Sequence, residues 1–120
     1  MTRVLIVEDE TKVAAAVRRG LEAEHFAVDV ALTGTDGLWM ATENAYDAIV
    51  LDILLPGLNG YEVCRRLRRA AWARDIPIVA ITGWGQEDDR RRSKEAGFDG
   101  HLVKPVVFGE LAALLDESLR

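Results

Sequence analysis

Four short, largely apolar runs in this chain each end on a polar residue, two of them on acids, one on a hydroxyl and one on a lysine. VLIV (Val4–Val7) is followed by Glu8-Asp9, AIVL (Ala48–Leu51) by Asp52, IVAI (Ile78–Ile81) by Thr82, and HLV (His101–Val103) by Lys104-Pro105. Unbroken apolar runs suit strands buried on both faces, as in a parallel sheet covered by helices. In such sheets the ligand crevice lies outside the carboxyl ends of the strands. The four endings are therefore expected to converge, bringing acids, a hydroxyl and a lysine into one pocket.

Helical periodicity fills the intervals. A helix is predicted from about Thr11 to Glu24, with Val13, Val17 and Leu21 on one stripe. AVDVA (Ala27–Ala31) alternates like an edge strand with one wet face. Gly34 to about Asn44 follows, with Leu38, Ala41 and Ala45 inward. After the Pro56-Gly57 loop, Asn59 can cap a helix to about Arg69. Pro77 opens the fourth strand at a tolerated position. Gln86 to Ala96 reads as a helix closed by Gly97, and Gly100 to Val103 as a short strand. The last helix spans about Val107 to Leu119 and packs through Leu111, Leu114, Leu115 and Leu119.

Five βα units with right-handed crossovers put helices on both faces of the sheet. The expected class is α/β, a flavodoxin-like, doubly wound, five-stranded parallel sheet. With a wet second strand and buried first, third and fourth strands, the order is 2-1-3-4-5. Its switch point, between strands one and three, sets Glu8, Asp9 and Asp52 side by side.

The 120 residues suit a single domain, 1–120, with no output domain. No apolar stretch approaches the roughly 20 residues of a membrane span. The first strand begins so near Met1 that no secretory leader is read, and a cytoplasmic location is expected. Net charge is −5, which argues against direct nucleic-acid binding. The basic runs Arg65-Arg66 with Arg68-Arg69, and Arg90-Arg91-Arg92, are read as solvated helix faces. Cys64, the lone cysteine, shares helical spacing with Gly60, Val63 and Leu67 and is read as a core residue.

Carboxylates held close together repel, and a hard cation between them relieves the repulsion. Magnesium takes oxygen ligands, commonly one or two carboxylates with waters and phosphate oxygens. Glu8, Asp9 and Asp52 can supply such ligands. Glu8 and Asp9 on their own could equally be acids favouring a helix start. Lys104 is a point charge suited to a phosphoryl oxygen, and Thr82 can donate to another. A carboxylate nucleophile, a cation, a lysine and a hydroxyl form a complete set for phosphoryl transfer. A magnesium-dependent phosphatase or nucleotide-binding enzyme of similar fold is the competing reading. It is disfavoured because the chain carries no GxxxxGK[ST] loop.

VEDE, LDILLPGLNG, ITG and LVKPV together resemble the receiver domains of two-component response regulators, over essentially the whole chain. The resemblance implies that Asp52 accepts a phosphoryl group from a histidine kinase or a histidine phosphotransfer protein. It also implies that Glu8 and Asp9 bind Mg2+ with Asp52 and the main-chain carbonyl of Leu54. Lys104 and Thr82 would hold the phosphoryl group, and the Lys104–Pro105 peptide would be cis. Such a domain is no enzyme beyond catalysing its own phosphorylation and dephosphorylation. It acts as a monomer or weak homodimer without membrane contact, and phosphorylation switches its helix 4, strand 5 and helix 5 face. Thr82 and His101 would be the switch residues, His101 standing where the family usually has tyrosine or phenylalanine. A solvated imidazole is expected there. The resemblance also implies that Leu54 and Trp84 would flank the path of the hydrolytic water, and since neither can orient it, a long-lived phosphorylated state is expected. Residues 1 to about 70 are similar to receivers of winged-helix regulators, and those from Ile76 onward to receivers of hybrid kinases, a mosaic that a chimera would produce.

Overall fold

The computed structural model describes residues 1–83 and 87–119, with side chains in the fourth helix from residue 91 onward. Five parallel strands stand in the order β2-β1-β3-β4-β5. They are β1 (Arg3–Val7), β2 (Ala27–Ala31), β3 (Ala48–Asp52), β4 (Ile78–Thr82) and β5 (Gly100–Val103). The helices between and after them are α1 (Thr11–Ala23), α2 (Gly34–Glu43), α3 (Gly60–Arg69), α4 (Glu87–Ala96) and α5 (Phe108–Ser118). The fold is the expected flavodoxin-like one. The expected start of the fourth helix at Gln86, and Trp84, lie outside the described residues.

Alternation along each strand divides the core in two. Leu5, Val7, Ile49, Leu51, Ile78 and Ala80 face α2 and α3, whereas Val4, Ile6, Val50, Val79, Ile81 and Leu102 face α1 and α5. Every residue of β3 and β4 is buried. The sheet therefore gives its central strands no wet face, and an acid at the end of β3 is drawn into the protein. Asn59 caps α3 by accepting from Glu62 N at 3.1 Å, and Gly97 closes α4 with φ +107°, both as the sequence predicts.

Some inward assignments differ. Ala45 is exposed because α2 stops at Glu43, and Tyr46 fills the core beyond it. Leu119 is 36% exposed because α5 ends one residue earlier, leaving Leu111 and Leu115 as its buried anchors. The wet side of β2 carries Asp29, which accepts from Tyr46 Oη at 2.7 Å and pairs with Arg3 at 2.8 Å.

The basic run in α3 is not uniformly solvated. Arg65 and Arg66 are exposed and pair with Glu62, whereas Arg68 is folded inward. Its Nε donates to Gly97 O at 2.9 Å, and its Nη1 donates to Ala73 O and Ile76 O, each at 2.7 Å. Its Nη2 reaches Asp99 Oδ2 at 2.7 Å, an oxygen that also accepts from Ile78 N. One guanidinium thus ties α3 and its following turn to the end of α4 and the loop before β5. In the second run, the Arg92 guanidinium lies 4.5 Å over the Tyr61 ring, a cation–π contact.

Cys64 is fully buried, and burial pushes its thiol up to about 12. At pH 8 only on the order of one thiol in ten thousand would be thiolate, the reactive form. A thiol reagent is therefore expected to modify Cys64 at the rate of unfolding, measured by absorbance with and without urea. Rapid modification of the native chain would contradict its place in the core.

Candidate functional site

The site is assembled from the carboxyl ends of β1, β3, β4 and β5. Register places Val7 of β1 beside Leu51 of β3, so Glu8-Asp9 and Asp52 leave neighbouring strands together. Asp52 pairs with Ile81 of β4, and Thr82 with Val103 of β5, so Lys104 emerges next to Thr82. Lys104 N donates to Thr82 O at 2.7 Å, fixing the backbone from which the lysine turns inward. The Lys104–Pro105 peptide is cis, as the resemblance implies.

Carboxylate oxygens of Glu8, Asp9 and Asp52 lie within 4.8 Å of one another. Glu8 is 0% and Asp52 1% exposed, while Asp9 faces solvent. The three acids expected to gather do so. Thr82 is buried at the end of β4. Asp52 Oδ1 accepts from Leu54 N at 3.1 Å, which folds the chain after β3 back over the acid. The Leu54 side chain points into solvent. Gly60 permits this turn: a Cβ there would strike the main-chain oxygen of Asp52 and Cα of Ile53.

Lys104 is the counter-charge. Its Nζ lies 2.7 Å from Glu8 Oε1, 3.0 Å from Asp52 Oδ2 and 3.0 Å from Glu10 Oε1. Burial alone would lower its pKa, but hydrogen bonds to Glu8, Glu10 and Asp52 raise it above the ordinary lysine value, so it is a permanent cation. Glu8 is pushed up to about 8, first by burial and next by the Asp52 carboxylate beside it, with Lys104 opposing. Without a metal, Glu8 therefore tends to keep its proton rather than place a second buried negative charge beside Asp52. Glu8 Oε2 is buried with no hydrogen-bond partner among the described residues. A buried, unsatisfied carboxylate oxygen beside two further acids fits a hard divalent cation, whose ligands are oxygens.

His101 departs from expectation. Its Nε2 is shut off from solvent and its Nδ1 lies 3.2 Å from Oγ of the buried Ser93. The imidazole is packed between β5 and α4 because the buried face of that otherwise polar helix presents a hydroxyl to it. Glu10 and Ser93 are the neighbours that the sequence reading missed. The third acid of VEDE was the available signal for Glu10; Ser93 offered none, since a serine in a run of charged residues reads as surface.

A 2-1-3-4-5 parallel sheet with acids on the ends of its first and third strands and a lysine on its fifth has the frame of a receiver-type α/β domain. The sequence profile of the response regulator receiver domain matches residues 4–116. The chain is 44% identical over 118 residues to the transcriptional regulatory protein PrrA of Mycobacterium tuberculosis, covering 98% of this chain and 50% of that protein. It is 41% identical over 118 residues to the transcriptional regulatory protein CusR of Escherichia coli K12, covering 98% and 51%. Among solved structures, Vibrio cholerae chemotaxis protein CheY4 superposes with TM-score 0.94 at 27% identity, covering 99% of each chain. The receiver domain of sensor histidine kinase PA1611 from Pseudomonas aeruginosa, which has a magnesium ion coordinated in its active site cleft, superposes with TM-score 0.91 at 30% identity, covering 98% and 97%.

The chain belongs to the response regulator receiver domain family and is a signalling domain of the two-component kind. It spans about half the length of the curated relatives it matches. Among the described residues, no helix is long and apolar enough to cross a membrane.

Proposed function

We propose that Asp52 accepts a phosphoryl group from a phosphohistidine donor, either a histidine kinase or a histidine phosphotransfer protein, and that the chain is one receiver domain over residues 1–120. The observation that carries this reading is the contact of Lys104 Nζ with Asp52 Oδ2 at 3.0 Å, beside the clustered carboxyl groups of Glu8 and Asp9. Mg2+ would be held by Glu8, Asp9, Asp52 and the Leu54 carbonyl, and would neutralise charge on the transferring oxygens. An Asp52 carboxylate oxygen attacks phosphorus as the P–N bond to the donor imidazole breaks. The nitrogen keeps the bonding pair and takes a proton from solvent. Lys104 and the Thr82 hydroxyl bind phosphoryl oxygens.

Movement of Thr82 toward the phosphoryl group would change the packing of His101 against α4 and bias the α4, β5 and α5 face, in the manner of a small shift acting on a two-state element. The domain would work in the cytoplasm as a monomer or weak homodimer. Net charge of −5 supports a role without direct nucleic-acid contact. Its own phosphorylation and dephosphorylation would be its only catalysis.

Incubation with a small phosphodonor should add one phosphoryl group in the presence of magnesium and none in excess chelator, read by intact-mass spectrometry. Labelling that is indifferent to divalent ions would sink the assignment of the acidic group as a metal site.

A further inference from the structure

Glu10 occupies the N-cap position of α1, yet its side chain makes no capping hydrogen bond. The helix start is secured by its main-chain oxygen, which accepts from Ala14 N at 3.0 Å. The carboxylate instead crosses to Lys104, 94 residues further along the chain, with Oε1 3.0 Å from Nζ. An ammonium has three protons to donate. Lys104 has three carboxylate partners at 2.7 to 3.0 Å, namely Glu8, Asp52 and Glu10.

These partners are not equivalent. Glu8 and Asp52 belong to the clustered acids, whereas Glu10 stands outside that group. If the reading above holds, on which this inference rests, Glu8 and Asp52 would be ligands of the divalent ion and Asp52 would then become an acyl phosphate. Glu10 is the one carboxylate partner of Lys104 that is neither a metal-ligand candidate nor the phosphoryl acceptor. The ammonium is at the same time repelled by the ion, and it sits on a flexible stem. It also has somewhere to go. Glu10 and Lys104 together form part of the wall of a cleft of about 620 Å³ between α1 and the start of α5, lined also by Lys12 and by apolar side chains that include Val13, Val17, Val106 and Phe108.

We propose that Glu10 is a positioning residue for Lys104, holding the ammonium at the rim of the acidic pocket when its other two carboxylate partners are withdrawn. Glu10→Gln keeps the shape and removes the charge, and it leaves the α1 start intact because that side chain does not cap. Two readouts test the proposal, with Glu10→Asp as the conservative variant. The first is the Lys104 ammonium signal in nitrogen-15 NMR, with and without magnesium chloride. Lys104 should stay rotationally ordered in the magnesium-loaded parent chain and become averaged in Glu10→Gln, with Glu10→Asp between them. The second is labelling by a small phosphodonor, which should slow by about two- to five-fold in Glu10→Gln, the effect of one ion pair at a half-exposed site. An equally ordered Lys104 in Glu10→Gln with magnesium, or an unchanged labelling rate, would overturn the proposal. Absence of labelling in the parent chain would instead refute the function proposed above, and the NMR comparison would still decide whether Glu10 holds the lysine.

Discussion

Asp52→Asn is expected to abolish phosphoryl labelling while leaving the fold as stable as before or more so. The amide has nearly the volume of the carboxylate, so the packing at the end of β3 is preserved. Its Oδ1 can still accept from Leu54 N, the bond that folds the loop over the site. Lys104 keeps Glu8 at 2.7 Å and Glu10 at 3.0 Å. The substitution also removes the carboxylate that helps hold the Glu8 pKa up, which offsets the lost contact between Lys104 and Asp52 Oδ2. What is lost is the nucleophile, since a neutral amide oxygen cannot displace an imidazole from phosphorus. Urea denaturation followed by circular dichroism checks the stability, and a destabilisation above about 2 kcal/mol would mean that Asp52 is chiefly a structural acid.

Arg68→Ala is expected to be the most damaging single substitution outside the core. It strips donors from Gly97 O, Ala73 O and Ile76 O and leaves Asp99 without its cation. Breaking one side of a hydrogen-bonded charge network in a partly buried site costs about 3 kcal/mol or more. For a domain of this size that lowers Tm by roughly 10 °C. The neighbouring Arg65→Ala and Arg66→Ala remove only exposed pairs with Glu62 and should cost less than about 1 kcal/mol each. Calorimetry on the three variants separates the roles, and equal melting points would remove Arg68 from its place as a tie between helices.

These two residues mark where the sequence was and was not legible. Asp52 could be placed because a short unbroken apolar run suits a buried strand, and the residue ending such a strand in a parallel sheet sits at its ligand edge. The same logic located Glu8, Asp9, Thr82 and Lys104, and the order of the sheet followed from the one alternating strand. Arg68 could not be told from Arg65, Arg66 and Arg69, because helical spacing fixes which side a residue faces but not whether a long side chain folds back onto a neighbouring turn. His101 was misjudged for a related reason. Its surroundings are set by Ser93 of α4, a helix whose composition carries no sign of which polar residue is buried. Glu10 was passed over because an acid at a helix start has a sufficient local explanation, and its partner lies at the other end of the chain.

The central claim is that the acidic crevice is a phosphoryl-accepting site with Asp52 as its nucleophile. Peptide mass spectrometry of the chain, after treatment with a small phosphodonor and magnesium, tests it most directly. The expected result is a single hydroxylamine-sensitive acyl phosphate on the peptide containing Asp52, absent from Asp52→Asn treated in the same way. Phosphoryl groups on any other residue of the parent chain, or undiminished labelling of the variant, would contradict it.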